Sequence, residues 1–178
     1  MERIKWTARR FDFTFPVELH PELIERLRGT PARVADRLQP VPQEQLIRRP
    51  GRGWSLQEHA GHLADLDENL FLPRLDEYAA RVTTLRAADM SNRQTEVANH
   101  NGKPLAELLG QLRRARAAVA ARLESLEADA FGQVAFHPRL HVSMRLVDMM
   151  FFQAEHDDYH LASISELLRA GSKGEPSR

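Results

Sequence analysis

The residues best suited to chemistry are two pairs of histidines, each spaced by about one helical turn. His156 and His160 are four residues apart in a segment with helical periodicity, so both rings project from one face of that helix. His59 and His62 are three residues apart in another helical segment and also share a face. Imidazole nitrogens that converge from two helices could hold one divalent ion, with positions left open for water or substrate.

The setting of His156 and His160 favours a metal site over its main alternative, a hydrogen-bonded pair at the edge of the core. Both lie on the inner, apolar stripe of their helix, between Phe152 and Ile164. Burial of two adjacent imidazoles is costly unless their nitrogens are satisfied, and a shared cation would satisfy them. For His62 alone, an ordinary half-buried histidine is the alternative interpretation.

The composition limits the kinds of site and partner. The absence of cysteine excludes a disulfide scaffold, a cysteine nucleophile, a thiolate zinc site and an iron–sulfur cluster. Lys+Arg (25) balances Asp+Glu (25), so no net basic field favours nucleic acid. The chain contains no apolar run of about 18 residues, so no membrane span is predicted. The N-terminal segment lacks the apolar core of a signal peptide. We therefore expect a cytoplasmic protein with neither a nucleic-acid nor a membrane partner.

Four long helical segments are predicted and no convincing set of strands, which indicates an all-α four-helix bundle with long crossover loops. The first segment begins at His20 and is interrupted at 29–31, where glycine and proline predict a kink. The second begins with a capping box at Ser55. We expect it to continue to about residue 86, with a kink at Pro73.

The connections and the third helix follow from polar and helix-breaking stretches. Residues 1–19 are predicted to form an extended arm that packs on the body, and 87–101 a polar loop that crosses between helices. A helix of about 24 residues is expected from Lys103 onward. Residues 128–142 are predicted to form a loop with a small β-like turn.

The last helix carries the second histidine pair. Ser143 is its predicted N-cap and Gly171 its end, and 172–178 are expected to be disordered. The chain is interpreted as a single domain, 1–178, with a core at about 20–170.

Two sequence patterns together resemble the DinB/YfiT-like superfamily of metal-dependent enzymes. The patterns are Trp54-Ser55-x-x-Glu58-x-x-x-His62-Leu63-Ala64-Asp65 and, about 94 residues later, His156-Asp157-x-x-His160-Leu161-Ala162-x-Ile164. The loop His137-Pro138-Arg139 is also similar to the pattern of that family. The resemblance covers roughly residues 20–170, and the order and separation of the motifs are more specific than either motif alone.

The resemblance implies an up-down-down-up bundle in which His62, His156 and His160 hold a divalent metal ion, most commonly zinc or nickel. His59 has no fixed counterpart in the family pattern, and a surface position is favoured over a role behind a ligand. The superfamily includes enzymes that use low-molecular-weight thiols, such as bacillithiol transferases and a mycothiol-dependent isomerase. Family members are often dimers, so the resemblance also implies a homodimer.

The predicted function is activation of a low-molecular-weight thiol or of water by the metal, for transfer to or hydrolysis of a small molecule. Any thiolate has to come from a cosubstrate, because the chain has no cysteine. The alternative is a non-catalytic metal-binding stress-response bundle. A ferritin-like di-iron protein fits less well, because the spacing from Glu58 to His62 is not that of a Glu-x-x-His motif.

The sequence leaves the general base unassigned. Four carboxylates lie close to the predicted ligands along the chain: Asp65, Glu155, Asp157 and Asp158. Each is interpreted as a solvated group on a helix surface or, alternatively, as a partner that orients a ligand imidazole.

Gly61 indicates either close helix packing or room for a ligand beside His62. Arg116 is expected to be solvated with its neighbours Arg113 and Arg114.

Overall fold

The structure, a computed structural model that describes residues 3–172, is a bundle of four long helical segments. In chain order, its helices are α1 (His20–Arg28), α2 (Thr30–Leu38), α3 (Gln43–Ile47), α4 (Leu56–Leu66), α5 (Leu72–Ala79), α6 (Arg93–Val97), α7 (Leu105–Glu124) and α8 (Leu146–Ser172). The strands β1 (Val134–His137) and β2 (Val142–Arg145) pair antiparallel in a two-stranded hairpin. The four bundle segments are α1–α2, α4–α5, α7 and α8. No helix within residues 3–172 is long and apolar enough to cross a bilayer.

Side-chain pairs show that the segments run up, down, down and up, as the resemblance implied. Along α4–α5 and α7 the residue numbers of contacting partners increase together, so the two segments are parallel: Gln57 contacts Lys103, Asp67 contacts Arg116, and Asp76 contacts Arg122. Along α4–α5 and α8 the residue numbers of contacting partners change in opposite directions, so the two segments are antiparallel: His59 contacts His160, Asp67 contacts Gln153, and Tyr78 contacts Met144 at the end of β2, directly before α8. The antiparallel pair brings the two histidine motifs to the same level of the bundle.

The second segment holds the first histidine motif and contains a wide turn. The predicted capping box is confirmed, since Ser55 accepts from the Glu58 amide and Glu58 accepts from the Ser55 amide. A π-helical turn, Asp67–Phe71, joins α4 to α5 directly before Pro73. Proline has no N–H and its ring crowds the carbonyl four residues earlier, so the wider turn accommodates it without ending the segment. The segment ends at Ala79, not near residue 86.

The loop predicted at 87–101 contains short helical elements. It includes α6 and most of a 3₁₀ turn, His100–Gly102, and both pack against α4. Residues Asn92 and Asn99 adopt left-handed backbone conformations where these elements begin, which asparagine tolerates better than most residues. The loop thereby carries polar side chains to the histidine motif of α4.

Ser143 does not cap the last helix, and the prediction for the start of α8 was wrong. Ser143 lies in β2, opposite Phe136. The helix begins at Leu146, where the Asp148 carboxylate accepts a hydrogen bond from the Arg145 amide at 2.8 Å. At its other end α8 continues through Gly171 to Ser172; the rest of the tail, predicted to be disordered over 172–178, lies outside the described residues.

The N-terminal arm packs on the body, as expected. Its aromatic side chains form a continuous ladder of ring contacts that ends on α8: Trp6, Phe11, Phe13 and Phe15 with Phe151 and Phe152. The arm is irregular, with single 3₁₀ turns at Trp6–Ala8 and Val17–Leu19. It therefore relies on apolar burial, not on backbone pairing, to stay in place.

A buried ionic network ties all four bundle segments together. Arg116 of α7 is fully buried, contrary to the expectation that it is solvated, and donates to Asp67 in the π turn and to Asp157 of α8. It also donates to the Leu27 carbonyl at 2.9 Å, and Thr30 donates to Asp157 at 2.7 Å. One guanidinium thus fixes the register of four segments at a single level.

We predict that Arg116→Leu destabilises the fold by about 3–5 kcal/mol, because it leaves two buried carboxylates without their cation. Burial raises the pKa of Asp67 while Arg116 opposes that rise, so the variant raises it further. When the pKa of a carboxyl is higher in the folded than in the unfolded state, the folded protein loses stability as the pH rises. Urea unfolding should therefore show a smaller defect at pH 5 than at pH 7.

The matched control is Arg122→Leu on the same helix, which removes a half-exposed ion pair with Asp76. We expect at most about 1 kcal/mol for that change. Equal destabilisation by the two variants would contradict the role given to the buried network.

Candidate metal centre

The three predicted ligands meet between α4 and α8. His62, His156 and His160 are all buried, and one ligand atom from each lies within 4.8 Å of the others. The ring centroids of His62 lie 5.3 Å from His156 and 4.8 Å from His160. Antiparallel packing of α4 against α8 produces this arrangement, since it places the turn that carries His62 opposite the turn between the other two.

Nδ1 of His62 and Nδ1 of His160 each have a neighbouring polar group, which leaves Nε2 of both rings available to a metal ion. The Nδ1 atom of His62 lies 2.9 Å from the hydroxyl of Thr95, and Nδ1 of His160 lies 2.8 Å from Nδ1 of His59. The Nε2 atoms of His156 and His160 face each other at 3.1 Å. If Nδ1 carries the proton in His62 and His160, both rings present an unprotonated Nε2, which is the form that binds a metal ion.

Burial keeps these imidazoles neutral at physiological pH. It lowers the pKa of His62 to about 4. It also lowers the pKa values of His156 and His160 well below the usual value, and neighbouring histidines add to the effect. Nδ1 of His156 is buried with no hydrogen-bond partner among residues 3–172. Three neutral imidazoles packed together, one of them with an unsatisfied nitrogen, form a donor set that fits a divalent cation.

A hydrogen-bonded chain behind His62 fixes the orientation of its ring. The Thr95 hydroxyl, which faces Nδ1 of His62, donates to Asp65 at 3.2 Å, and Nε2 of His100 lies 2.8 Å from the same carboxylate oxygen. A Cβ on Gly61 would come within 2.3 Å of the His100 ring. Of the two interpretations of Gly61, close packing therefore holds, and it is the 3₁₀ turn that packs there.

His59 is not a surface residue, so the favoured interpretation of this histidine was wrong. Its Nδ1 contacts Nδ1 of His160, and burial lowers its pKa to about 4. A neutral His59 with an unprotonated Nδ1 can accept the Nδ1 proton of His160, so each of two predicted ligands has its own neighbour: Thr95 for His62 and His59 for His160. Partners of this kind set the tautomer and raise the basicity of a ligand.

Of the four carboxylates near the ligands in sequence, Asp65 alone joins a hydrogen-bonded chain to a ligand in the described structure. Asp157 belongs to the Arg116 network, and Asp158 pairs with Arg26 and Arg33. Glu155 pairs with Arg26 and Arg9. None of the four lines the cleft described next. The ion pairs of the other three instead hold α8 against α1, α2, α7 and the arm.

The three histidines line one side of a cleft of about 460 Å³. The Trp54 ring lies 4.6 Å from His62 and stacks 5.9 Å from His160, and its indole nitrogen donates to Glu96 at 2.6 Å. Trp6 of the N-terminal arm contacts the His156 ring edge-on at 4.9 Å. Aromatic walls and a polar floor are typical of a small-molecule site.

Sequence reasoning missed the roles of Thr95, His100 and Trp6. Each lies in a helical element of at most five residues, 30 residues or more from the ligand motif it serves, and so short an element leaves no helical periodicity to read. Thr95 in particular stands in a polar stretch that reads as a loop. The one sequence signal for this packing is Gly61, which lowers helix propensity by about 1 kcal/mol relative to alanine and marks a close approach.

The fold matches solved structures of known description. The chain superimposes on YfiT from Bacillus subtilis, described as a probable metal-dependent hydrolase with an unusual four-helix bundle topology, with a TM-score of 0.80 and 21% identity over 92% of this chain and 94% of that one. It also matches the mycothiol-dependent maleylpyruvate isomerase, with a TM-score of 0.66 and 12% identity over 84% of this chain and 61% of that one. At these identities the likeness shows the shared fold.

Sequence comparison identifies the family. No curated protein matches the chain by sequence, but a family model described as the DinB superfamily matches residues 26–164, which include all three histidines of the cluster. The matched range begins in α1 and ends in α8, so it spans the four bundle segments. The protein therefore belongs to the DinB superfamily.

Proposed function

We propose that the protein is a metal-dependent enzyme in which His62, His156 and His160 hold one zinc or nickel ion. An ion held by these residues would activate a low-molecular-weight thiol, or water, for transfer to or hydrolysis of a small molecule. The observation that carries the proposal is the convergence of three buried, neutral imidazoles on the wall of an open cleft. A divalent ion with open coordination positions is a Lewis acid and lowers the pKa of a thiol or water bound to it.

The chain itself supplies orientation and shelter. Thr95 and His59 lie within hydrogen-bond distance of Nδ1 of His62 and of His160, respectively, and so fix the orientation of these two rings. Trp54 and Trp6 provide apolar surfaces beside the histidines, which limit the water that reaches a bound substrate. Glu166 is the one acidic side chain among the described residues that lines the cleft, and we assign no general base.

The position of the cluster supports catalysis over a purely structural ion. The buried carboxylates at the centre of the bundle have a partner without a metal, because Arg116 pairs with both Asp67 and Asp157. The histidines lie at the edge of that core and line the cleft. Residues at this position would hold an ion that the cleft can reach, as in catalytic sites that keep positions open.

The two possible nucleophiles, a thiol and water, are each supported by a different structural neighbour. The structural neighbours are described as a mycothiol-dependent isomerase and a probable hydrolase. A thiol reaction would need an external thiol, since the chain has no cysteine. The single domain, the homodimer and the cytoplasmic location remain predictions.

We predict that untagged protein binds about one divalent ion per chain and that His62→Ala, His156→Ala or His160→Ala each abolishes tight binding, because each removes a third of the ligand set. Metal content after gel filtration, measured by plasma mass spectrometry, is the readout. His141→Asn is the control, since His141 is exposed and asparagine tolerates its left-handed backbone. Retention of the ion in all three alanine variants would falsify the site.

We predict that Thr95→Val lowers metal affinity by about 10- to 100-fold without unfolding the protein, because the His62 Nδ1 proton loses its acceptor. Competition with a chromophoric chelator measures the affinity. Thr83→Val is the matched control, since Thr83 is exposed and contributes its backbone carbonyl to Phe136. Equal affinities of Thr95→Val and the control would contradict the orienting role of Thr95.

We predict metal-dependent turnover, because an ion held beside an open cleft can activate a substrate. Bacillithiol, mycothiol and glutathione are tested with small electrophiles, and ester and amide hydrolysis is tested without thiol. Activity should disappear on chelation and in His160→Ala, while the melting temperature changes little. A large fall in melting temperature on chelation, without turnover in either screen, would support the non-catalytic bundle instead.

A further inference from the structure

A second cleft borders the one that holds the histidines. It has a volume of about 540 Å³ and lies between the N-terminal arm and the loop after β1. Thr7 and Met90 line both clefts, so a molecule that occupies one can extend into the other. The two differ in charge, because the second is lined by Arg9, Arg10 and Arg139 and by no acidic residue among the described ones.

Arg139 has no anionic partner in the described structure. Its Nη2 atom is buried without a hydrogen-bond acceptor among residues 3–172, and none of its atoms forms an ion pair there. A cation removed from water without a partner is costly, and a guanidinium presents paired N–H groups that match a carboxylate or phosphate. Two aromatic rings hold it in place: its guanidinium carbon lies 5.8 Å from the Trp6 ring centroid and 5.3 Å from that of Phe152.

Three other arginines that contact α8, by contrast, have an anionic partner on that helix. Arg26, Arg33 and Arg116 each pair with an aspartate of α8. In the cleft, Arg9 has a 3.4 Å contact with Glu155, while the exposed Arg10 forms no ion pair with a described residue. The cleft therefore combines an unpaired, partly buried guanidinium with an unpaired, solvent-facing one.

The position of Arg139 relates this charge to the histidine cluster. Trp6 contacts the His156 ring at 4.9 Å and has the Arg139 guanidinium at 5.8 Å. An anion bound by Arg139 would thus be separated from the histidine cluster by the Trp6 ring. That separation suits a small molecule with a reactive end and an acidic end.

We propose that Arg139, assisted by Arg10, binds a carboxylate or phosphate group of the substrate or thiol cosubstrate while its reactive end lies at the histidines. The inference rests on the proposed function for the identity of the reactive end. It names the substrate class as anionic small molecules and gives the arm that carries Trp6 and Arg10 a part in specificity.

The test is a titration of the full-length protein, zinc-loaded and metal-free, with inorganic phosphate, succinate and neutral succinamide at constant ionic strength. The Nε–Hε resonance of Arg139 and the indole resonance of Trp6 are followed by NMR. We expect saturable shifts with phosphate or succinate in both metal states and none with succinamide. The tighter of the two anions identifies the preferred acidic group.

Arg139→Gln should weaken binding of that anion by at least about tenfold, since a charge-assisted bidentate contact is lost. Arg139→Lys, which keeps the charge, should retain part of the affinity. Arg113→Gln is the matched control, an exposed arginine on α7 outside both clefts.

Unsaturable shifts in wild type, or equal weakening by Arg139→Gln and Arg113→Gln, would overturn the anion site. The titration of the metal-free protein separates the two proposals. Anion binding by a protein that never binds metal would refute the proposed function and leave the anion site standing, whereas metal binding without anion binding would do the reverse.

Discussion

The bundle places three buried imidazole rings side by side at the wall of a cleft, where nitrogens that water does not reach need a partner. Thr95 serves Nδ1 of His62, and His59 serves Nδ1 of His160. Nδ1 of His156 has no partner among the described residues, and its Nε2 lies 3.1 Å from Nε2 of His160. An unpartnered buried polar atom costs about 1–3 kcal/mol, and a cation bound by one nitrogen of each ring would give those nitrogens a partner. The need to satisfy these nitrogens links the packing of α4 on α8 to the proposed chemistry.

That convergence depends on register, and register is set away from the histidines. Arg116 connects Asp67 and Asp157, which lie five residues after His62 and one residue after His156. The π turn that carries Asp67 lets the second segment pass Pro73 without ending. A shift of one residue between α4 and α8 would rotate a ligand by about 100° away from its partners. The buried ion pairs therefore stabilise a specific alignment, which explains why so much charge lies inside so small a core.

The sequence predicted the parts of this site that repeat with a helical period. His62, His156 and His160 were identified from their spacing and from the family resemblance, and the Ser55 capping box placed the start of α4. Arg116 was misjudged, because three arginines in four residues resemble a solvated face and the partners of Arg116 lie 49 and 41 residues away.

The same limit applies to the surroundings of the ligands. Thr95 and His59 became interpretable only when the packing of α6 and α8 on α4 was known, since no local pattern marks a residue as the partner of a distant imidazole. Ser143 has the chemistry of an N-cap, but strand pairing with β1 took precedence over that local preference. Helical spacing and the family resemblance thus predicted the candidate ligands, while tertiary contacts determined what orients them.

The most direct measurement of the central claim is X-ray absorption spectroscopy of the protein loaded with one equivalent of zinc. A site formed by His62, His156 and His160 predicts three nitrogen neighbours at about 2.0–2.1 Å, together with the multiple-scattering features of imidazole and a remaining shell of oxygen from solvent. An oxygen-only first shell without imidazole scattering would contradict the account.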